Sequence, residues 1–198
     1  VAVCTGADFP SLDEVEAVLV TGSAAGVYED HPWMVPLFEF IRAAADRKVP
    51  QIGVCFGHQA IAKALGARVE KSEKGWGLGR HVYDVKARPD WMAGFEGEMF
   101  SLGVSHQDQV LSLPKGANVV ASSAFTPFAA LDYPDAPAIS FQGHPEFSAD
   151  FCRALYGVRA GSVFSRERVD AAGESLDVPV DNELIGSWMA NFLAQTTR

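Results

Sequence analysis

Apolar residues recur with helical spacing in two segments of the chain. Residues 33–47 follow Pro32 and end before Pro50, which is typical of an amphipathic helix bounded by prolines. Residues 182–194 predict a second helix with an apolar face. That face comprises Leu184, Ile185, Trp188, Met189 and Phe192. Residues 160–181 mix charges with a short Ala/Gly/Ser stretch, and we expect a loop or a weak helix there.

Short apolar runs bounded by glycine, proline and polar residues predict strands. These runs are 17–21, 51–54, 68–71, 78–85, 99–105, 119–123, 128–131 and 138–142. Residues 89–95 predict a short helix or turn. Helices alternate with strands early in the chain, and strands dominate later. This order predicts one α/β domain over residues 1–198, with an open, mostly parallel sheet flanked by helices and continued by an antiparallel extension.

Residues 51–59 read QIGVCFGHQ and combine a strand, a nucleophilic residue and a helix start. Glycines stand two residues before and two residues after Cys55, so the backbone has room for the sharp turn of a nucleophile elbow. The predicted helix over 57–65 would direct its amide-rich N-terminus at the sulfur and favour the thiolate. The alternative is a buried core cysteine at the end of a strand.

The second chemical motif follows the strand at 138–142, where His144 is separated from Glu146 by Pro145. A cysteine nucleophile needs a base to take its proton and a further group to orient that base. We interpret His144 as the base and Glu146 as the orienting carboxylate. Taken alone, His144 is also typical of a loop histidine, and Glu146 of a solvated surface charge. Their occurrence together with the elbow favours a triad.

The two motifs together resemble the class I (triad) glutamine amidotransferases, in which a C-x-G-x-Q elbow precedes a later H-P-E. The order nucleophile, histidine, acid also differs from that of an ordinary α/β-hydrolase. The resemblance implies a flavodoxin-like three-layer fold. It also implies that Cys55, His144 and Glu146 are catalytic.

Further segments extend the resemblance and imply a set of substrate contacts. Residues 104–108, VSHQD, resemble the family's S-H-x-D segment, and residues 20–26 stand where the family has its oxyanion loop. In that loop Ser23 and Ala24 replace a glycine and a proline, which leaves the backbone N–H donors of an oxyanion hole in place. Gln59 is carried over as a substrate contact, its alternative being an exposed helix residue. The implied contacts are Gly22, Ser23, Phe56, Gln59, Ser105, His106 and Gln107.

The motif sequences FGHQ, SHQD and QGHPE resemble those of the stand-alone, GMP-synthase-like branch, which includes plant γ-glutamyl peptidases. The resemblance implies hydrolysis of a γ-glutamyl amide through a cysteinyl thioester, as in a glutaminase. The alternatives are a γ-glutamyl peptidase acting on glutathione-like conjugates and a non-catalytic regulatory member of the fold. Gly143 replaces an aromatic residue of most members, and we expect this to open space for the leaving group.

Composition narrows the set of partners. The net charge is −9 and no basic cluster is present, which argues against nucleic acid and anionic membranes. Three widely spaced cysteines, Cys4, Cys55 and Cys152, are typical of a reducing cytosol, so we expect a cytoplasmic enzyme without disulfides, metal or cofactor. The expected ligand is glutamine or a γ-glutamyl small molecule. A separate synthase subunit and a second copy of the chain in a homo-oligomer are both possible partners.

The first methionine is Met34, and the chain starts at Val1. In the family a strand and a helix precede the strand that leads into the oxyanion loop. We therefore expect the native N-terminal strand and helix to lie outside this numbering.

Overall fold

A computed structural model describes residues 1–197. Seven strands form one sheet in the order β1-β2-β9-β8-β7-β4-β5, and β3 pairs with β6 in a separate two-stranded sheet. The strands are β1 Val18–Val20, β2 Gln51–Val54, β3 Val69–Lys71, β4 Gly77–Val85, β5 Met99–His106, β6 Asp108–Val110, β7 Asn118–Ser122, β8 Ala130–Tyr133 and β9 Ala138–Phe141. Each of the eight runs predicted as strands corresponds to one of them, and β6 is the additional strand.

Five α-helices accompany the strands in the described part of the chain. They are α1 Met34–Asp46, α2 Phe56–Ala64, α3 Ala149–Arg159, α4 Arg166–Ser175 and α5 Asn182–Thr196, with short 3-10 turns at Val3–Thr5 and Asp90–Met92. None of these helices is long and apolar enough to cross a membrane.

Sequence reasoning missed α3 and left α4 as a loop or weak helix. Neither helix has the broad apolar face that indicates a helix in a sequence, because α3 buries only Cys152 and Tyr156 while α4 buries only Ala172. Their serine N-caps were the available signal. Ser148 accepts a hydrogen bond from the third residue after it, and Ser165 does the same at the start of α4.

The three strands that carry the chemistry are parallel. β2 lies between β1 and β9, with Gln51 opposite Ala138 and Val54 opposite Phe141. The carboxyl ends of β2 and β9 therefore meet at one edge of the sheet. The other four strands, β8, β7, β4 and β5, are antiparallel. The predicted α/β class with an antiparallel extension is confirmed, and this extension is larger than the sequence pattern suggested.

Helices cover both faces of the sheet and complete the three layers. On one face, α1 and α2 bury Ile41 and Ile61 against β8. On the other face, α5 buries Ile185, Trp188 and Phe192, and the indole of Trp188 lies edge-on to other aromatic rings of the core. The predicted apolar face of the C-terminal helix is confirmed. α3 is anchored to β5, since Tyr156 donates a hydrogen bond to the Val104 carbonyl at 2.6 Å.

Two glycines allow β1, β2 and α2 to approach one another closely. A Cβ on Gly57 would lie 1.9 Å from the carbonyl oxygen of Val20, and a Cβ on Gly53 would lie 2.6 Å from the carbonyl oxygen of Gly57. Both contacts are with backbone atoms, which cannot move aside as a flexible side chain can. Elbow and sheet are therefore packed backbone to backbone.

We expect Gly57→Ala to destabilise the fold by roughly 3 kcal/mol or more, because one added methyl group must displace β1 from α2. The measurement is the urea midpoint of unfolding. Gly186→Ala is the matched control, since Gly186 lies within α5 with no atom near its missing Cβ. This control should gain about 0.5–1 kcal/mol from helix propensity. Equal midpoints for the two variants would contradict the close contact.

Candidate active site

Cys55 lies on a strained turn between β2 and α2. Its backbone has φ 51° and ψ −102°, an unusual conformation for a residue with a side chain. The amide of Cys55 donates to the carbonyl of Phe141 on β9 at 2.8 Å, which ties the turn to the neighbouring strand. Since Cys55 is the N-cap of α2, its sulfur lies at the positive end of that helix. The predicted elbow geometry is present.

His144 lies beside the elbow and is held from several directions. Its Nδ1 is 2.7 Å from Oε1 of Glu146, and its backbone amide donates to the carbonyl of Gly103 at 2.9 Å. The ring stacks on Phe147 with centroids 3.8 Å apart and planes 3° apart. Phe147 follows the H-P-E motif directly and was missed as a site residue. These contacts leave Nε2 of the imidazole for the Cys55 thiol.

The electrostatics of His144 follow from these partners. Burial by itself lowers the pKa of the imidazole, but hydrogen bonds to Cys55 and to Glu146, together with their negative charge, raise this pKa to about 9. The imidazole is therefore protonated at neutral pH. Glu146 remains half exposed, so its carboxylate is accessible to water while it holds the ring.

Two glutamines hold the other side of the sulfur. Nε2 of Gln142 donates to Sγ of Cys55 at 3.7 Å, and Oε1 of Gln142 accepts from Gln59 at 3.1 Å. Gln59 also donates to the carbonyl of Asp108 at 2.9 Å. Gln59 is thus buried and internally bonded, although it also lines the cleft. Gln142 was within the quoted motif but had no predicted role.

The loop after β1 closes over the triad. A Cβ on Gly22 would lie 3.0 Å from Cε1 of His144, so a larger residue at this position would have to shift the imidazole. Ser23 is exposed at the turn, and its hydroxyl accepts from the amide of Ala25. Phe56 is the first residue of α2, so its N–H has no acceptor within the helix. Their roles as oxyanion contacts stay predictions.

The segment 105–107 reaches the same cleft from the end of β5. Ser105, His106 and Gln107 all line it together with Cys55 and His144. Burial lowers the pKa of His106 to about 3, helped by the nearby His81, so the ring is neutral. A neutral ring agrees with the binding or structural role predicted for His106.

Tyr28 was missed by sequence reasoning and fastens the loop after β1. Its hydroxyl donates to Oδ1 of Asp108 at 3.0 Å, across the cleft from the elbow. Burial and the Asp108 carboxylate raise the pKa of Tyr28 to about 12, so the hydroxyl keeps its proton and remains a donor. This hydrogen bond therefore links the loop after β1 to the start of β6.

The expectation for Gly143 is wrong. A Cβ at this position would lie 2.7 Å from Cβ of Leu102, inside the core, and Gly143 does not line the cleft. The cause is the short antiparallel bridge between His144 and Gly103, which turns residue 143 toward β5. Gly143 thus allows close packing and opens no space for a leaving group.

The residues brought together line a cleft of about 610 Å³. This volume lies within the range of roughly 300–1,000 Å³ typical of small-molecule sites. Charged groups of both signs face it, with the carboxylates of Glu29, Asp108 and Glu146 and the cations of Lys71 and Arg159. The site thus offers a nucleophile, a base, donors and charges of both signs.

Comparison with known proteins finds relatives named as amidotransferase-like proteins, gamma-glutamyl peptidases and GMP synthases. A glutamine amidotransferase-like protein of Schizosaccharomyces pombe is 29% identical over 191 residues, covering 95% of this chain and 75% of the relative. Gamma-glutamyl peptidase 4 of Arabidopsis thaliana is 29% identical over 150 residues, covering 72% of this chain and 59% of the peptidase. The glutamine-hydrolysing GMP synthase of Thermosipho melanesiensis is 34% identical over 132 residues, covering 66% of this chain and 24% of the synthase. This chain therefore spans less than two thirds of the plant and bacterial relatives.

Solved structures share the fold. A glutamine amidotransferase from Thermotoga maritima superposes with a TM-score of 0.77 at 22% identity, covering 96% of this chain and 84% of that chain. One from Methylobacillus flagellatus gives a TM-score of 0.73 at 22% identity, covering 93% and 80%. The family model described as glutamine amidotransferase class-I matches residues 7–151. The chain belongs to the class I glutamine amidotransferase family.

Proposed function

We propose that this chain hydrolyses a γ-glutamyl amide through a cysteinyl thioester, with Cys55 as nucleophile. The observation that supports this proposal is the position of Cys55 on a strained elbow beside the His144 imidazole. Nδ1 of that imidazole is 2.7 Å from Oε1 of Glu146. Nucleophilic catalysis by cysteine needs this set of nucleophile, base and orienting group. The family supports the same chemistry, since its name describes transfer of the glutamine amide.

The first half of the reaction forms the thioester. His144 holds the thiol proton, so the Cys55 sulfur attacks the γ-carbonyl with its lone pair, and the amide hydrogen bond from Gln142 stabilises the negative sulfur beforehand. Backbone N–H groups of Phe56 and Ser23 face the oxygen that becomes negative. The C–N bond then breaks, and the imidazolium gives its proton to the departing nitrogen.

The second half releases glutamate. The neutral imidazole of His144 takes a proton from water, and the resulting hydroxide attacks the thioester carbonyl. The C–S bond breaks, the sulfur recovers its negative charge, and the imidazole keeps the proton that it took from water. The γ-carboxylic acid of the product then loses its own proton to the solvent. Glu146 stays on Nδ1 throughout and keeps Nε2 directed at the reacting atoms.

Main-chain groups of Ser105, His106 and Gln107 would bind the α-amino and α-carboxylate groups of the substrate. Gln59 donates a hydrogen bond to Gln142 and so holds the amide that contacts the Cys55 sulfur. The leaving group is ammonia for glutamine and a larger amine for a γ-glutamyl peptide. Relatives include a GMP synthase and a gamma-glutamyl peptidase by name. A separate synthase subunit would take up the ammonia in the first case and is unnecessary in the second.

Purified protein should release glutamate from glutamine, from glutathione or from a γ-glutamyl conjugate, and Cys55→Ala should abolish the release. Ammonia and free amine are measured separately, because their ratio separates a glutaminase from a peptidase. A protein that releases glutamate from none of the three substrates would be the non-catalytic member of the fold.

A glutamine-like diazo-ketone should label Cys55 and spare Cys152. Cys55 lines the cleft beside a protonated imidazole, whereas Cys152 is fully buried on the inner side of α3. Peptide mass mapping gives the site of modification. Cys4 is exposed and serves as the internal control, because excess glutamine should block labelling at Cys55 and leave any reaction at Cys4 unchanged. Labelling of Cys55 that ignores glutamine would argue against a substrate site.

His144→Ala should lower kcat/KM by on the order of 10⁴-fold or more, and Glu146→Gln by one to two orders of magnitude less, since water can partly replace an orienting carboxylate. The pH profile separates the two roles. Because the Cys55 sulfur and the Glu146 carboxylate together raise the pKa of His144 to about 9, the wild type should lose activity above about pH 9. Without that carboxylate the pKa falls, so the alkaline limb of Glu146→Gln should move toward neutral pH. An unchanged limb would show that Glu146 does not act on His144.

A further inference from the structure

Beyond the triad, the cleft continues along one face of α3. Phe151, Leu155 and Arg159 all line it, and their spacing of four residues places them in one row on the helix. The row begins at the reacting groups, because the ring of Phe151 lies 4.5 Å from Phe147, which stacks on His144. The rise of an α-helix puts Arg159 about 12 Å further along the axis than Phe151. The row thus leads from the catalytic imidazole to a guanidinium group.

At the far end of the row, Arg159 lies against the aromatic ring of Trp76. The guanidinium carbon of Arg159 lies 5.9 Å from the centre of the Trp76 ring, a cation–π distance. Trp76 also packs edge-on against Phe164 at 5.2 Å, and Arg168 donates a hydrogen bond to its carbonyl oxygen. The planar guanidinium carries its N–H groups in its own plane, so it can bind a carboxylate with two parallel hydrogen bonds while its face lies toward Trp76.

The charge of Arg159 has no carboxylate partner within residues 1–197. By contrast Arg153 on the same helix pairs with Asp177 at 2.6 Å. Lys71, the other cation of the cleft, lies near the carboxylates of Glu29 and Asp108. In a chain of net charge −9, an unpaired arginine that faces the cleft is therefore available to an anionic group of the substrate.

We propose that the leaving amine is a short peptide of about two residues whose C-terminal carboxylate binds Arg159. This inference rests on the proposed function of the triad. Two extended residues span roughly 7 Å, a large part of the roughly 12 Å that separate Phe151 and Arg159 along the axis of α3. The first side chain of this peptide lies against the apolar surface of Phe151 and Leu155. Ammonia would use none of these contacts.

The reaction itself is unchanged by the larger leaving group. The sulfur of Cys55 forms the C–S bond, the γ-glutamyl C–N bond breaks, and the proton of the His144 imidazolium goes to the departing peptide nitrogen. The products are the γ-glutamyl thioester and a dipeptide with a free amine. Arg159 binds the substrate carboxylate and takes no part in proton transfer.

The test compares γ-glutamyl-leucyl-glycine with the same compound amidated at its C-terminus, by kcat/KM in the full chain. The wild type should favour the free acid by about ten- to a hundredfold, the effect of one charge-assisted contact. Arg159→Gln should bring this ratio to about one. Arg159→Lys should give an intermediate ratio, since lysine keeps the charge but loses the planar fork. Arg166→Gln is the matched control, because Arg166 is exposed on α4 outside the cleft and should leave the ratio at its wild-type value.

Glutamine hydrolysis in the same preparations separates the two levels of the proposal. A wild type that cleaves both peptides with an acid-to-amide ratio near one, or that hydrolyses glutamine and neither peptide, overturns the role of Arg159 and leaves the proposed function standing. A wild type that releases glutamate from none of these substrates overturns both. If Arg159→Gln also loses glutamine turnover, the ratios of the wild type and of Arg159→Lys decide.

Discussion

The left-handed backbone of Cys55 is the constraint on which the site depends. A conformation of this kind costs roughly 1–3 kcal/mol and persists only where the surroundings hold it from several sides. Here the amide of Cys55 bonds to β9, while Gly57 brings α2 against the backbone of β1. The thiol is thereby lifted out of the sheet at the edge where β9 delivers His144. Backbone packing among β1, β2 and α2 on both sides of the elbow therefore sets the position of the sulfur.

Burial alone does not decide what a histidine does in this fold. His58, His106 and His144 are all buried, and burial lowers the pKa of the first two to about 3. His58 is bonded through Nδ1 to the Ser140 hydroxyl and remains a neutral structural group. His144 differs because a carboxylate and a thiol face its two nitrogens and raise its pKa to about 9. The partner atoms, more than the depth, separate the proposed base from the structural rings.

One hydrogen-bonded network ties together the separate walls of the cleft. Gln59 on the elbow helix bonds to Gln142 after β9 and to the backbone of Asp108, whose carboxylate accepts from Tyr28 on the loop after β1. Movement of one wall therefore breaks bonds in the others. Such a network favours a cleft that is formed before the substrate arrives, which reduces the ordering that binding requires.

The sequence by itself determined whatever is local along the chain. Apolar runs located the strands, and the elbow and the His-Pro-Glu motif identified the three residues that the fold brings together. Each of these signals lies within a few neighbouring residues, because strand pattern and turn chemistry are local properties. α3 left only a serine cap as a signal, since its stability comes from packing a narrow stripe onto β5.

Only the tertiary structure decided the directions and neighbours of side chains. The missing Cβ of Gly143 would point into the core because the bridge from His144 to Gly103 joins residues 41 positions apart, which no local pattern records. The stacking of Phe147, the bond from Gln142 to the sulfur and the row from Phe151 to Arg159 arise in the same way. These contacts depend on which distant strands and helices pack together. Long-range packing therefore determines how a substrate can be oriented at the residues that the motifs identify.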